Sequence, residues 1–545
     1  MVHLKFTILR NHSIGFKNLI SSNDDRNLRK VHSFKEDRRI LFLADSKYYS
    51  HLNLAVQLAN AMHDDGHEVD FVVTVYDKTG VIKSHPKKGI RVIRVPVESD
   101  DIFNQHFFDI NAKPAFNTWT KEEFGPTERL LMTRISFYNV FLYKTIIENP
   151  LAKMEGRKKK IPILTWLRDQ NYKYGIAEYG LLTMQTCHPW KLSTLHRGQS
   201  ACDYTGILHS STGDGDGISG IRKKGKIPDP STLKDVPPLG TLLNKVRYYF
   251  INDLEIATFK WPVIPKVKYI GGLEVEQSGV FDQTEEQISQ LYAKINYSKK
   301  FHTPRSNHWQ RLQSAKRIVL FSLGSLIDFD DISKEAVKAL FDAFAEHLDV
   351  EFLVKIDETK VDKSIKPTEN VHIVNVTQMI PQLKLLVSEK MHGFIHHCGR
   401  NSFNEAVYTA VPQLCVPFFA DQRYNSAVLE FLNVLKGQKK AVSLWIKHTR
   451  FAAEISEKLK NLLNKENHLF ERARDLAKFV RNGPSPTKTF KEAVNKLVNG
   501  DDLTECKDFP KHEDHPLDEN YTIEPFNLPQ EEDDKIEDGP LTNKL

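Results

Sequence analysis

The chain has 545 residues, 40% hydrophobic and 27% charged, which excludes a disordered or collagen-like polymer and leaves room for two or more large domains. Its formal charge of +6 hides an asymmetry, because Asp501–Leu545 holds 15 acidic residues against four lysines, leaving residues 1–500 with 72 basic against 55 acidic side chains. Such an excess suits an anionic ligand and equally an ordinary solvated surface, while the basic runs Arg157–Lys160 and Arg222–Lys226 lack the interleaved aromatics of a nucleic-acid face.

Residues 1–37 read as a polar N-terminal extension. The first apolar run, RILFLA (Arg39–Ala44), is a strand; a loop, DSKYYSH, follows, and LNLAVQLANAMHDDG has the apolar spacing of a helix with Gly66 as its C-cap. His67–Val75 and Ile90–Val95 are further strands, so the segment is a βαβ unit whose functional loops lie at the carboxyl ends of its strands. Ser50 and His51 fall on such a loop. Residues 100–210 mix helical runs with Phe107, Phe108, Phe116, Trp119, Tyr138 and Phe141, a set that lines an apolar acceptor pocket or, more commonly, fills a core. GDGDG (Gly213–Gly217) is a flexible loop and not a calcium site, since Lys223 occupies the place where a bidentate Glu belongs.

After a polar linker at 276–315 the rhythm repeats: RIVLFS, EFLVKI, VHIVNV, GFIHH and QLCVP are strands, separated by helices including one from about Pro381 and one from about Ser402. Two doubly wound α/β domains, 38–275 and 316–468, are the economical arrangement, with helices over 469–500 broken at NGPSP and an acidic, disordered tail over 501–545. Five cysteines without a C-x-x-C pair exclude a disulfide framework and a zinc ribbon. No uncharged apolar window is long enough to span a bilayer, and the first 39 residues lack the apolar core of a secretory signal, so the expectation for the chain as written is a soluble protein.

The chemistry concentrates in His392–Glu430. There a buried strand ends in the short turn Cys398–Asn401 and a helix begins, offering unpaired N–H groups and positive dipole to a phosphate, with the His397 ring able to donate to the same anion. Two turns on, Glu405 can accept from vicinal ribose hydroxyls, and Asp421 with Gln422 pairs a carboxylate and an amide suited to sugar hydroxyls. These residues alone point to a nucleotide-sugar site, although many αβ loops carry similar groups.

The same segment resembles the signature of the UDP-glycosyltransferases, including the animal glucuronosyl- and glucosyltransferases: from His397, Asn401 is four residues on, Glu405 eight, and Asp421–Gln422 24 and 25. FSLGS (Phe321–Ser325), IPQLKLL (Ile380–Leu386), VKYIGGL (Val267–Leu273) and the SH…GHEV run (Ser50–Val69) are similar to other pieces of that family, so the resemblance covers roughly residues 38–495. It implies an α/β protein of the GT-B class, two Rossmann-like domains facing across a cleft, and an inverting transfer of glucose or glucuronate from a UDP-sugar to a small lipophilic acceptor, with no metal or other cofactor. It further implies His51 as general base with Glu178 as its carboxylate partner, and a donor site built from Ser325, Met379, Gln382, His397, Asn401, Ser402, Glu405, Asp421 and Gln422.

Three positions depart from the family pattern. Cys398 and Ala410 stand where Gly is usual, and Met379 where an aromatic stacks on uracil; the expectation is a crowded or strained diphosphate turn and weaker donor binding. The alternatives are therefore a catalytically impaired relative that binds UDP-sugar or regulates, and, less favoured by the spacing, a GT-B phosphorylase or epimerase. Animal members carry a signal peptide and a C-terminal membrane anchor that place them in the endoplasmic reticulum; the resemblance thus implies that membrane unless the chain's termini are as written. Oligomeric state is open, a homo-oligomer included.

Overall fold

The computed structural model describes residues 5–10, 39–46, 49–75, 82, 84–97, 150–170, 172, 174–178, 246–258, 265–298, 307–324, 334–359, 361–362, 364–376, 378–418, 421–434, 451–464, 466 and 468–499. Strands β1 (Lys5–Arg10), β2 (Arg39–Asp45), β3 (Glu68–Val75), β4 (Arg91–Pro96), β5 (Leu151–Met154), β6 (Ile161–Pro162), β7 (Tyr174–Glu178), β8 (Val246–Ile251) and β9 (Val267–Tyr269) form one sheet. Its order is β6-β5-β4-β3-β2-β7-β1-β8-β9. The centre is parallel, β2 pairing with β3 on one side and β7 on the other. The Tyr49–Asp64 helix that follows β2 buries Leu52, Leu54, Ala55, Val56, Leu58, Ala59, Ala61 and Met62, more than one narrow stripe, because it is covered by neighbours on several sides.

One sequence expectation is corrected here. Lys5–Arg10 is not part of a polar extension but a strand, β1, inserted antiparallel between β7 and β8. The backbone explains it: two strands that do not touch expose unpaired N–H and C=O edges, and an extended segment between them satisfies both rows.

The second sheet contains β10 (Ile318–Ser322), β11 (Glu351–Ile356), β12 (Val371–Asn375), β13 (Met391–His396) and β14 (Gln413–Cys415), all parallel, in the order β12-β11-β10-β13-β14. Its strands read as near-continuous apolar runs because both faces are covered. Val319, Phe321, Phe352, Val354 and Ile356 belong to one core; Ile318, Leu320, Leu353 and Phe394 point to the other. Period-2 alternation thus feeds two hydrophobic layers, which is what double winding requires. The two Rossmann-like lobes expected of the GT-B class are present.

Residues 276–315 are more than a linker. Thr284 and Gln287 form a reciprocal capping box on the Glu285–Ala293 helix, and that helix, with His308–Ser314, drives Ile288, Tyr292 and Leu312 into the second lobe's core. At the far end the two helices beyond 468 part company. Leu469–Arg481 packs on the Arg400–Tyr408 helix of the second lobe. Pro486–Val498, capped by Ser485, returns to the first, where Phe490 meets Phe250 edge-on at 4.9 Å and Tyr174 donates to the Leu497 carbonyl. Residues 1–499 form one compact unit; the other, 500–545, which includes the acidic tail, lies outside the described residues. No helix among the described residues is long and apolar enough to cross a membrane.

Candidate active site

In the second sheet the strand order reverses between β10 and β13, and the crevice at their carboxyl ends is where doubly wound folds place ligands. His397, one residue past β13, stands there. Its ring lies so close to Gly324, just past β10, that a Cβ on that glycine would come within 2.7 Å of it, so the FSLGS loop needs glycine at this position for the imidazole to fit. Burial pushes His397 down to about 4. The ring is therefore neutral at physiological pH, its buried Nδ1 has no hydrogen-bond partner, and it can offer an anion an N–H dipole and no full charge.

The Arg400–Tyr408 helix starts two residues earlier than its sequence predicts, with Gly399 as N-cap and no side chain capping it. On its cleft side Gln382 donates to Ser402 Oγ (3.0 Å) and to Glu405 Oε2 (2.6 Å), so three of the expected donor residues form one hydrogen-bonded group. Burial raises the Glu405 carboxyl to about 7, against the lowering effect of the Gln382 bond. Asp421 accepts from Asn425 Nδ2 at 2.8 Å, and the same amide donates to the Cys398 carbonyl at 2.8 Å, which ties Asp421 to the Cys398–Asn401 turn. Gln422 is buried and its Oε1 accepts from the Phe418 N–H at 2.8 Å. Met379 is 67% exposed. Ser325 lies outside the described residues, as do residues 101–149 and 181–245, which contain the six aromatics and the GDGDG loop.

Cys398 adopts φ 61°, the left-handed conformation expected where glycine is usual, and Ala410 likewise has φ 60°. The expected crowding does not follow. The Cys398 side chain is fully buried, turned into the core against Cys415 with which it forms a disulfide across a Cα–Cα distance of 5.3 Å. His396 completes a buried trio of potential metal ligands, but its Nδ1 accepts from the Cys398 N–H and its Nε2 faces Gln413 Oε1 at 2.9 Å. Both ring nitrogens are engaged, and the trio is structural.

In the first lobe the order reverses at β2, flanked by β3 and β7. His51 is not on a loop but in the first turn of the Tyr49–Asp64 helix, aimed back at the end of β7. There its Nδ1 donates to Glu178 Oε1 at 2.5 Å. Burial alone would lower the imidazole's pKa; Glu178, by charge and hydrogen bond, and the more distant Asp45 and Asp421 reverse this, and the net shift is upward. Asp421 belongs to the other lobe, so charge on the second lobe acts on His51 of the first. With Nδ1 committed to a carboxylate, Nε2 carries the lone pair, the tautomer a general base requires.

Asn401 has a different environment from that expected of a donor contact. Its Oδ1 accepts from Asn252 Nδ2 (2.8 Å) and its Nδ2 donates to Glu274 Oε2 (3.1 Å), both first-lobe residues. Sequence reasoning missed these partners, and it missed Asp253, whose buried carboxylate pairs with Arg400 Nε at 2.7 Å. It also missed Lys355, buried at the end of β11 beside Ser322, where burial lowers the ammonium's pKa. Asn252 and Asp253 follow directly on an apolar strand, YYFI, the one signal that marked them.

A family model described as "UDP-glucoronosyl and UDP-glucosyl transferase" matches residues 238–470. UDP-glucuronosyltransferase 3A1 of Bos taurus is 28% identical over 305 residues, 56% of this chain and 50% of that protein. UDP-glucuronosyltransferase 3A1 of Mus musculus is 30% identical over 199 residues, 36% and 33% of the two chains. The chain thus spans between a third and a half of the length of the curated relatives it matches. Among solved structures, the calicheamicin glycosyltransferase CalG4 is similar with a TM-score of 0.46 at 16% identity, covering 84% of this chain and 98% of that one. Residues 238–470 thus carry the sequence pattern of the UDP-glycosyltransferase family, and the chain is similar to UDP-glucuronosyltransferases over 36–56% of its length.

Proposed function

We propose that the protein transfers a hexose, glucose or glucuronate, from a UDP-sugar to a hydroxyl of a small lipophilic acceptor, with inversion at the anomeric carbon and without a metal. The observation that carries the reading is the His51–Glu178 pair at 2.5 Å in the first lobe, lying within the field of Asp421 on the second. In this scheme the acceptor hydroxyl gives its proton to His51 Nε2 as its oxygen attacks the anomeric carbon. The bond from that carbon to the β-phosphate oxygen breaks on the opposite side, and Glu178 stabilises the imidazolium that results. The departing diphosphate collects charge at the uncapped N-terminus of the Arg400–Tyr408 helix, beside the His397 ring. Glu405, held by Gln382, suits the ribose hydroxyls, and Asp421 those of the sugar.

The test is turnover of UDP-glucose and UDP-glucuronate with a panel of phenols, comparing wild type with His51→Ala. Loss of a general base should cost about 10²–10⁴-fold. Equal turnover in both removes His51 from the mechanism. UDP binding by calorimetry with no turnover in the wild type favours the alternative of a UDP-sugar-binding or regulatory module.

A further inference from the structure

The two lobes meet through a chain of amides around one carboxyl group. Glu274 follows the Gly271–Gly272 pair that closes the run after β9. Gly272, at φ 88°, packs against the Tyr408 ring of the second lobe so tightly that a Cβ would fall 2.0 Å from it. Only glycine lets the first lobe's backbone come this near, and that approach carries Glu274 into the cleft. There Asn53 Nδ2 donates to its Oε1 at 3.3 Å and Asn401 Nδ2 to its Oε2 at 3.1 Å. Asn53 lies two residues beyond His51 on the same helix and is itself fixed by Ser84 Oγ at 2.9 Å. Asn401 lies four residues beyond His397 and is held on its other side by Asn252, which in turn accepts from Asn404.

We propose that Glu274 is a positioning residue of the transfer reaction: by holding Asn53 with one oxygen and Asn401 with the other, it sets the distance between His51 and the sugar bound at the signature helix. The inference rests on the donor-site reading above. It assigns Glu274 no contact with the substrate. Its action is on the spacing of the two walls, and the reason to expect a large effect is geometric, since a misplacement of about 1 Å between nucleophile and electrophile can cost about 10²-fold in rate. The groups expected to hold UDP, Gln382, His397, Ser402 and Glu405, all sit on the second lobe, so nucleotide affinity should be indifferent to this spacing. The Glu405 carboxyl and the Tyr49 hydroxyl face Glu274 electrostatically, and a water in place of a truncated side chain could not restore both amide contacts at once.

The experiment pairs steady-state kinetics with calorimetry on the full-length chain. Glu274→Ala should lower kcat by about 10- to 100-fold while the Kd for UDP changes less than about threefold, Glu274→Gln, which keeps one acceptor, should recover part of the loss, and Asn53→Ala in the Glu274→Ala background should add little further loss. A kcat within twofold of wild type overturns the inference. So does a UDP Kd that rises in parallel with the loss of kcat, which would make Glu274 a nucleotide contact. If the wild type binds no UDP, the donor-site reading itself fails. The bridge is then read by hydrogen exchange, where Glu274→Ala must raise exchange in peptides covering 49–56 and 399–408 and an unchanged pattern rejects it. Should Glu274→Ala not fold, Asn53→Ala alone is read by the same kcat and exchange criteria.

Discussion

Replacing Glu178 with glutamine keeps the size of the side chain and an acceptor for His51 Nδ1 but removes the charge. The pair stands at 2.5 Å with side chains 20% and 21% exposed. Two unit charges about 4 Å apart interact by roughly 4 kcal/mol at the effective dielectric of a partly exposed site, and solvent screening discounts this to about 2–3 kcal/mol. That energy is absent while His51 is neutral and develops as the proton arrives, so its loss falls on the transition state and kcat should drop roughly 30- to 150-fold. The pH profile gives a second reading. The neutral imidazole is the active form, so activity falls on the acid side through the pKa of His51, which Glu178 holds above its ordinary value. Glu178→Gln should move that limb to lower pH while lowering the plateau. Stability has the opposite window: a histidine whose folded pKa is raised contributes fully below its unfolded pKa and loses that contribution as pH rises through the folded one, so the substitution should cost more at pH 5.5 than at pH 9. Initial rates at saturating donor, with urea unfolding at the two pH values, test both. A plateau within threefold of wild type, or an acid limb that stays in place, would refute the assignment of Glu178 as the partner of the base.

Two further outcomes follow from single groups. If Glu405 must be ionised to accept from ribose hydroxyls, its pKa of about 7 makes UDP-glucose affinity rise roughly tenfold between pH 6 and pH 8, and Glu405→Gln should flatten the curve; UDP-glucose is the suitable probe because its diphosphate diester does not titrate there, and a flat wild-type profile by calorimetry contradicts the role. Ala410, at φ 60°, carries a left-handed backbone cost of about 1–2 kcal/mol against which glycine's extra unfolded-state entropy weighs about 0.5–1 kcal/mol, so Ala410→Gly should stabilise by about 0.5–1 kcal/mol in urea unfolding, and a destabilised variant would mean that the alanine methyl's packing outweighs the strain.

What could be read from the sequence was what is local in it. Asn401 and Glu405 are spaced four apart, and a helix necessarily stacks such positions on one face; the alternation of IVLFS and FLVKI likewise dictates a sheet covered on both sides. The contact between His51 and Glu178 spans 127 residues and depends on β7 lying beside β2 with Leu43 opposite Ala177, a register that periodicity does not specify, so only the resemblance pointed to Glu178. Glu274, Asn252 and Asp253 were invisible for a stronger reason: each acquires a partner on the second lobe, Asn401 for the first two and Arg400 for the third, only when one lobe docks on the other. The helices in 276–315 were legible in principle, since Thr284 and Gln287 spell a capping box, and the polar composition around them obscured it. The six-residue run at Lys5–Arg10 was overlooked in the same way.

The substitution of Cys398 for glycine shows how the donor turn keeps its shape without the residue that makes such a shape cheap. A left-handed backbone persists at a non-glycine residue only when its surroundings over-determine it, and here they do. The Cys398 N–H is taken by His396 Nδ1, its carbonyl by Asn425 Nδ2, and its sulfur by Cys415 in the core. Asn425 carries the constraint onward, because its Oδ1 accepts from Arg400, the first residue of the helix, and its Nδ2 also reaches Asp421. Arg400 in turn is fixed by the buried Asp253 carboxylate of the opposite lobe, an interaction that costs desolvation and survives because neither charge can be left alone. The turn, the helix that follows it and Asp421 are therefore tied into one network anchored to both lobes. A side chain in place of glycine raises the local cost of the conformation, and the network that offsets it also fixes the Cys398–Asn401 turn and Asp421 relative to the first lobe.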